Sequence, residues 1–473
     1  HVLSYIGNLP TDKKHQKDVD VIDKPRSTGS ILKPFLYAAM LDSGELLPNM
    51  LVADVPTNFG SYHPKNFSEQ YTGAISANLA LSKSLNVPTV RMLQGFGLDK
   101  FNDYLQKLQL KDVKKNANHY GLTLALGGAE SNLWDLCKSY ASMVSTVNHY
   151  SQNSSRYFKN EFCEPIFYAD EKIAFGEKSS EKIIFDAASI YLTFESLKNV
   201  NRPNADQNWE FFDSSKQIAW KTGTSYGFRD AWAIGVTKDF VVGVWVGNAD
   251  GEGRPGLIGA QTAAPIMFDV FDKLPNSDWF EKPFDEMTEI EVCSKSGYRA
   301  TEICEDYQLE FIQNIGLKTA PCPFHILVNV NASENYQVNT SCERLENIKQ
   351  KSWFVLPPLM EYYYKDKNPF YKSLPKFRNA CLGESKNSMK FIYPSEKSTI
   401  FLPKDFDGTQ NELVLKVANS NKEAILFWYV NETFLGTTKE IHQLAINLQI
   451  GRSTISVTDN FGNEIHQEIT AKE

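Results

Sequence analysis

The sequence predicts an α/β fold of the α+β kind, a sandwich of helices around an antiparallel sheet, followed by a small all-β domain of immunoglobulin-like type. Three observations carry this reading. Residues 1 to about 285 alternate helical and strand periodicities and close with a strand, a hairpin and a helix. Residues 286–385 change character, holding five of the seven cysteines, several prolines and the aromatic run SWFVLPPLMEYYYKDKNPFYKSLP. From 386 to 473, short alternating segments recur between turn signals, the spacing of a β-sandwich.

At 473 residues and 42% hydrophobic composition, the chain has room for two or three full cores. Its net charge of -8 and pI near 5.7 exclude a nucleic-acid partner, because a phosphate backbone needs a basic face that no Lys/Arg cluster supplies. No stretch reaches the roughly 20 apolar residues that span a bilayer.

Taken in order, the opening HVLSYIGNLP reads as a strand with neither a basic n-region nor a cleavage site, so any targeting or anchoring segment is expected upstream. Ile31, Leu32, Phe35, Leu36, Ala39 and Met40 recur at helical spacing and stop at Asp42-Ser43-Gly44. LWDLCKSYASM around Cys137 is a second helical pattern, with that cysteine in the core. Gln217 to Trp220 lead as a strand into Lys221-Thr222-Gly223-Thr224-Ser225, and AWAIGV and DFVVGVWVG follow as a hairpin about Thr237-Lys238. AAPIMFDVFDKL, from Ala263 to Leu274, closes this region as a helix. The segment 286–385 reads as an irregular, cross-linked connector. Beyond it ELVLKVA, AILFWYV, STISVTD and EIHQEIT are strands, with turns at Asp407-Gly408 and from Asp459 to Gly462.

Three short motifs carry chemistry: Ser30-Ile-Leu-Lys33, Ser84-Leu85-Asn86 and Lys221-Thr222-Gly223. In that order they form the site of a serine acyl-transferase that uses lysine where most serine hydrolases use histidine. Ser-x-x-Lys also occurs at Ser179 to Lys182 and Ser373 to Lys376, so context decides. Ser30 follows the flexible Arg26 to Gly29 run and opens an apolar helical pattern. That places it at a helix N-terminus, where the dipole favours developing negative charge and Lys33 shares its face. Pro34 biases Lys33 away from helical geometry yet is tolerated in a first turn. Ser76-Ala77-Asn78 sits where a helix begins and reads as a cap, whereas Ser84 to Asn86 sits where the helix must end, just before Val87-Pro88.

Two patterns are set aside. Gly223 to Gly227 fits a G-x-S-x-G nucleophile elbow, but β-rich sequence follows where a helix is required, so Ser225 is a strand residue. Gly251 to Gly256 fits G-x-G-x-x-G, but Pro255 interrupts it and no βαβ unit follows. None of the eight histidines sits in a catalytic motif. Among Cys293, Cys304, Cys322, Cys342 and Cys381, disulfides are expected, with Cys293 and Cys304 the first candidate pair. A structural zinc site around Cys322-Pro-Phe-His325, or free thiols, are the alternatives.

The three motifs, with VDVIDKPRSTGSILKPFLYAAML, NFSEQYTGAISANLALSKSLNVPTV, YGLTLALGGAE, AWKTGTSYGFRDAWAIG, the CPFH and SWFVLPP connector and the terminal FWYVNETFLGTT, resemble the class A penicillin-binding proteins over essentially the whole chain. The resemblance implies a transpeptidase/β-lactamase-like domain over 1–285, the connector over 286–385 and the C-terminal sandwich over 386–473. The family's membrane anchor and glycosyltransferase domain do not match any part of this chain. The implied enzyme is a D-Ala-D-Ala transpeptidase on the periplasmic side of the inner membrane, acting on peptidoglycan stem peptides and inhibited by β-lactams. It needs no cofactor and no metal for the reaction, and its C-terminal domain is expected to meet a cell-wall or periplasmic partner.

By the same resemblance Ser30 is the nucleophile, Lys33 the base, Ser84 the proton relay, Asn86 the orienting group and Lys221 the charge. Thr222 and Thr224 bind the substrate carboxylate. Gly223 lets substrate lie close against the strand, and the backbone N–H groups of Ser30 and Thr224 form the oxyanion hole. A D,D-carboxypeptidase or β-lactamase of the same superfamily, or a catalytically silent scaffold, are the rival readings.

Overall fold

The computed structural model describes residues 1–8, 18–59, 62–167, 171–200, 216–378, 381, 389–395, 398–402, 412–421, 423–431, 433–460 and 463–472. Its centre is helix α1 (Lys33–Asp42), all ten of whose residues are buried. A helix that is apolar around its whole circumference belongs inside a core, and α1 duly anchors the largest apolar cluster. It stops as its sequence dictates: Ser43 N and Gly44 N bond back to Ala39 and Leu41 carbonyls, and Gly44 takes φ +73°.

Beyond α1 a hairpin of β1 (Leu51–Asp54) and β2 (Gly73–Ser76) leads into α2 (Ala77–Ser82) and α3 (Asn86–Phe96). Two long helices, α4 (Leu133–Gln152) and α5 (Ala187–Lys198), complete the helical layer. The sheet is antiparallel, in the order β3 (Ala219–Thr224), β4 (Asp230–Val236), β5 (Val241–Gly247). All seven β4 residues are buried, because helices cover both of its faces. Helix α6 (Gly259–Lys273) packs Ala263, Ala264, Met267, Phe268 and Phe271 on one face against Ile218, Trp220 and Ala233. The large core fills the other face. Helices around an antiparallel sheet are thus the architecture expected, and Cys137 turns its thiol toward Gly243, where burial raises it to about 12.

Several local expectations change. Residues 1–8 form no strand, although Val2 N bonds to Ile166 O. The β4–β5 turn takes four residues, Thr237 to Phe240, with Thr237 N donating to Phe240 O. Helix α6 starts four residues before Ala263. The connector is more regular than composition suggests. It holds one ribbon of β6 (Met287–Cys293) with β7 (Tyr307–Gln313), a second of β8 (His325–Val330) with β9 (Lys349–Phe354), and helix α7 (Pro358–Tyr364). Buried Gln313 donates to Leu41 O and Leu46 O at 3.0 and 2.8 Å, so this ribbon satisfies one carbonyl at the end of α1 and one just beyond it.

The disulfide of this region joins Cys342 to Cys381, whose Cα atoms are 4.9 Å apart. Cys293 and Cys304 are not bonded to each other; both thiols instead face His325.

The C-terminal region is all-β. One sheet has the order β10 (Met389–Tyr393), β12 (Leu413–Asn419), β15 (Gln443–Ile446). The other has the order β11 (Thr399–Phe401), β17 (Glu464–Lys472), β16 (Gly451–Asp459), β13 (Ile425–Val430), β14 (Thr433–Lys439). All pairs are antiparallel except β11 with β17. Alternating inward residues of both sheets, with Trp428 at the centre, form a core separate from the first. The turn expected at Asp407-Gly408 lies outside the described residues.

Candidate active site

Ser30 sits in a clamped turn in front of α1. Its Ile31 N donates to Thr28 O and its Lys33 N to Ser30 O. The sequence reading put Ser30 at the helix N-terminus, but the helix begins at Lys33. Pro34 is the reason: with no N–H it cannot donate to Ser30 O, so no α-helical bond closes over the serine.

Two neighbours hold the turn. Thr28 N and Oγ1 both bond to Ala129 O, and Ser27 Oγ bonds to Gly127 O. On the other side runs β3. Gly29 has φ +53°, and a Cβ there would meet Thr224 O at 2.6 Å and Thr224 N at 2.7 Å. That close approach brings the Ser30 and Thr224 backbones side by side. Gly29, read in the sequence as part of a flexible run, is one of the residues that builds this site.

The sequence Ser84-Leu85-Asn86 bridges two helices. Here α2 ends at Ser82 and α3 starts at Asn86, so Pro88 lies in a first turn and ends nothing. Ser84 takes φ +54°, a left-handed conformation rare for a residue with a Cβ. Ser76, as expected, occupies the N-cap position of α2, though its hydroxyl bonds to Asn78 Oδ1 instead of a backbone N–H.

Alternation along β3 splits the third motif between two faces. Lys221 and Gly223 point toward Ser84 and the Ser30 turn, while Thr222 and Thr224 are half-buried on the opposite face beside the start of α6. Thr224 Oγ1 accepts from Gly259 N at 3.0 Å. Gly223 is also required within the protein itself: a Cβ there would meet Thr28 O at 2.6 Å and Ile31 Cγ1 at 2.8 Å. Ser225 is buried just past the strand end, and its Oγ accepts from Asp230 N at 2.8 Å, which ties it into the β3–β4 turn.

Two lysines converge on Ser84. Lys33 is 2% exposed and Lys221 1%. Lys33 Nζ donates to Asn86 Oδ1 and to Ser84 O, both at 2.7 Å, and lies 3.5 Å from Ser84 Oγ. Lys221 Nζ donates to Ser84 Oγ and Thr222 O, both at 2.7 Å. Burial first, and the Lys221 charge second, hold Lys33 well below the usual lysine range. Burial lowers Lys221 to about 7. Two buried ammonium groups sharing one hydroxyl repel, which favours the neutral form of one amine. Among the described residues Ser30 Oγ has no hydrogen-bond partner, and Lys33 is not bonded to it.

A supporting layer carried no sequence signal. Asn66, buried in the loop between β1 and β2, accepts from Asn86 N and Val87 N at 3.1 and 3.0 Å and donates to Asp54 Oδ1 at 2.7 Å. Asp54 Oδ2 is held by Thr72 N and Oγ1, each at 2.9 Å. This chain props Asn86 against Lys33. A lone asparagine in a loop has no motif that could have marked it.

The family model described as the penicillin binding protein transpeptidase domain matches residues 2–268, more than half of the chain. A second, the Penicillin-Binding Protein C-terminus Family, matches residues 378–469. Penicillin-binding protein 1C of Escherichia coli K12 is 32% identical over 274 residues, covering 57% of this chain and 32% of that protein. Penicillin-binding protein 1A of Neisseria cinerea is 26% identical over 260 residues, covering 52% and 31%. The chain thus spans about a third of the length of these relatives. Among solved structures, penicillin-binding protein 1A of Haemophilus influenzae aligns with TM-score 0.48 and 19% identity over 65% of this chain and 50% of that one. The PonA1 protein of Mycobacterium tuberculosis in complex with penicillin V aligns at 0.45 and 19%, over 59% and 76%.

Proposed function

This chain belongs to the penicillin-binding protein transpeptidase family, and on that premise we propose that it is a serine D,D-transpeptidase that cross-links peptidoglycan stem peptides and is acylated by β-lactams. The observation that carries this reading is the pair of buried lysines meeting at Ser84. A neutral Lys33 has two N–H groups and one lone pair. Ser84 O and Asn86 Oδ1 at 2.7 Å and Leu85 O at 3.2 Å surround Nζ; as a free amine it gives its two N–H groups to these oxygens, and its lone pair takes the Ser30 proton when substrate binds.

Ser30 Oγ then bonds to the D-Ala carbonyl carbon, and the oxygen's developing charge is met by Ser30 N and Thr224 N, a stabilisation worth about 3–4 kcal/mol per donor. The proton passes from Lys33 through Ser84 to the leaving amine as the peptide C–N bond breaks. Lys221 holds the Ser84 oxygen throughout. Because β3 is an edge strand, a stem peptide lying along it reaches both faces, and the Thr222 and Thr224 hydroxyls take its terminal carboxylate beside the N-terminus of α6, whose dipole favours an anion. Deacylation by the amine of a second strand forms the cross-link, and water in its place gives carboxypeptidation. The Cys342–Cys381 disulfide fits oxidising, extracytoplasmic surroundings. No described helix is long and apolar enough to cross a membrane.

Labelled penicillin followed by mass spectrometry of the adduct tests the assignment. The label is expected on Ser30, lost in Ser30→Ala and kept in Ser225→Ala. A label elsewhere rejects the nucleophile, and no label on folded protein favours a silent scaffold. With a stem-peptide donor, cross-linked dimer as well as free D-alanine separates transpeptidation from carboxypeptidation.

A further inference from the structure

Three cysteines and a histidine that acyl transfer does not use converge beneath the β1–β2 hairpin. Cys293 ends β6, Cys304 lies in the loop before β7, and Cys322 and His325 flank the entry to β8. All four are buried, and their ligand atoms lie within 4.8 Å of one another. His325 Nδ1 is 3.6 Å from Cys293 Sγ, 3.5 Å from Cys304 Sγ and 3.3 Å from Cys322 Sγ.

Those distances have a simple geometric meaning. A tetrahedral ion with metal–sulfur bonds of about 2.3 Å and a metal–nitrogen bond of about 2.0–2.1 Å sets its sulfur–nitrogen edges near 3.6 Å. Hydrogen bonding alone does not explain the arrangement, since one imidazole nitrogen carries at most one hydrogen and here faces three sulfurs. None of the three cysteines is in a disulfide.

The surroundings suit thiolates. Ser296 Oγ donates to Cys322 Sγ at 3.1 Å, and Thr301 N donates to Cys304 Sγ at 3.3 Å. Ser296 N and Gly297 N both return to Cys293 O, at 3.2 and 2.8 Å, and fold a tight knuckle around that sulfur. Gly297 takes φ +68°, and a Cβ there would fall 1.7 Å from Asn49 O. The knuckle is therefore pressed onto the strand that follows, where Leu51 N donates to Ser296 O at 2.8 Å.

We propose that Cys293, Cys304, Cys322 and His325 form a structural zinc site, with Nδ1 of His325 as the nitrogen ligand. Three thiols release their protons to solvent as the ion binds, leaving a four-coordinate centre with a net charge of about -1. Four protein ligands leave no position for substrate, so the ion is structural. Three soft sulfurs select against magnesium and calcium. The centre joins the connector to β1, whose far end carries Asp54 and, through Asn66, the prop beneath Asn86. The expectation that acyl transfer needs no metal is untouched, because this site lies outside it.

Elemental analysis of the purified full chain is expected to find about one zinc per molecule, released when a mercurial blocks the thiols. Cys322→Ser is expected to lose the metal and Cys342→Ser to keep it. Stripping the wild-type protein with a strong chelator lowers its unfolding midpoint, and zinc restores it where magnesium does not. A non-reducing peptide map showing a disulfide between any two of Cys293, Cys304 and Cys322, or an equivalent of iron, overturns the proposal. If Cys322→Ser fails to fold, wild-type metal content and the peptide map decide alone.

Discussion

Lys33 and Lys221 are buried amines that, among the described residues, have no carboxylate within hydrogen-bond reach, so each is easier to deprotonate than a surface lysine. The signs follow from their proposed roles. Lys33 must be neutral, so acylation is lost as pH falls through its depressed value. Lys221 must be charged, so acylation declines as pH rises through about 7. A bell-shaped profile of labelled-penicillin acylation is expected. Lys221→Arg, which stays charged at all accessible pH, moves the alkaline limb upward; an unmoved limb would assign it to another group. At Asn66, alanine strands Asn86 N, Val87 N and Asp54 without their partner. We expect a cost of about 1–3 kcal/mol in thermal unfolding, with acylation slowed because Asn86 no longer orients Lys33.

Among the elements, β3 is placed by glycine. Gly223→Ala puts a methyl 2.6 Å from Thr28 O, a contact that only a backbone shift relieves. A displacement of order 1 Å in a reacting group costs roughly 100-fold in rate. The variant should therefore fold yet acylate at least about tenfold more slowly. Stopped-flow acylation checks this, and a normal rate would show that strand and turn slide without penalty. Element types were legible where a period repeats over many residues, as in α1, α4 and the β4–β5 hairpin. Element ends were less so. The break at Ser84 and the early start of α6 at Gly259 come from contacts with distant chain, Ser84 beneath Lys221 and Gly259 against Thr224.

For the molecule as a whole, the C-terminal core shares no residue with the other apolar clusters of the described residues, which predicts an unfolding event of its own. Trp428 is fully buried in the C-terminal core, its Nε1 bonded to Thr438 Oγ1 at 2.8 Å. Trp428→Ala should cost the C-terminal sandwich about 3–5 kcal/mol, moving one calorimetric transition while the acylation rate stays as in the parent. A single merged transition, or lost acylation, would mean that the sandwich supports the transpeptidase region. It does touch that region, the His63 and Tyr393 rings lying 6.0 Å apart, and α7 of the connector packs on β10 and β12.

The sequence by itself marked the candidate site residues and determined the layer plan. Motif residues and periodicities are local, and Ser30, Lys33, Ser84, Asn86 and Lys221 could each be named from a few neighbours. Tertiary structure alone decided which atoms meet. Lys221 reaches Ser84 across 137 residues, and Asn66 supports Asn86 from a loop without any motif. Only the fold shows that Gly223 also answers to packing against Thr28 and Ile31. The cysteines nearest in sequence were expected to bond to each other, yet they face a histidine while Cys342 pairs with Cys381. Spacing along a chain says which residues are close in sequence. Only the fold's packing sets the direction in which each side chain points, and the chemistry depends on that direction.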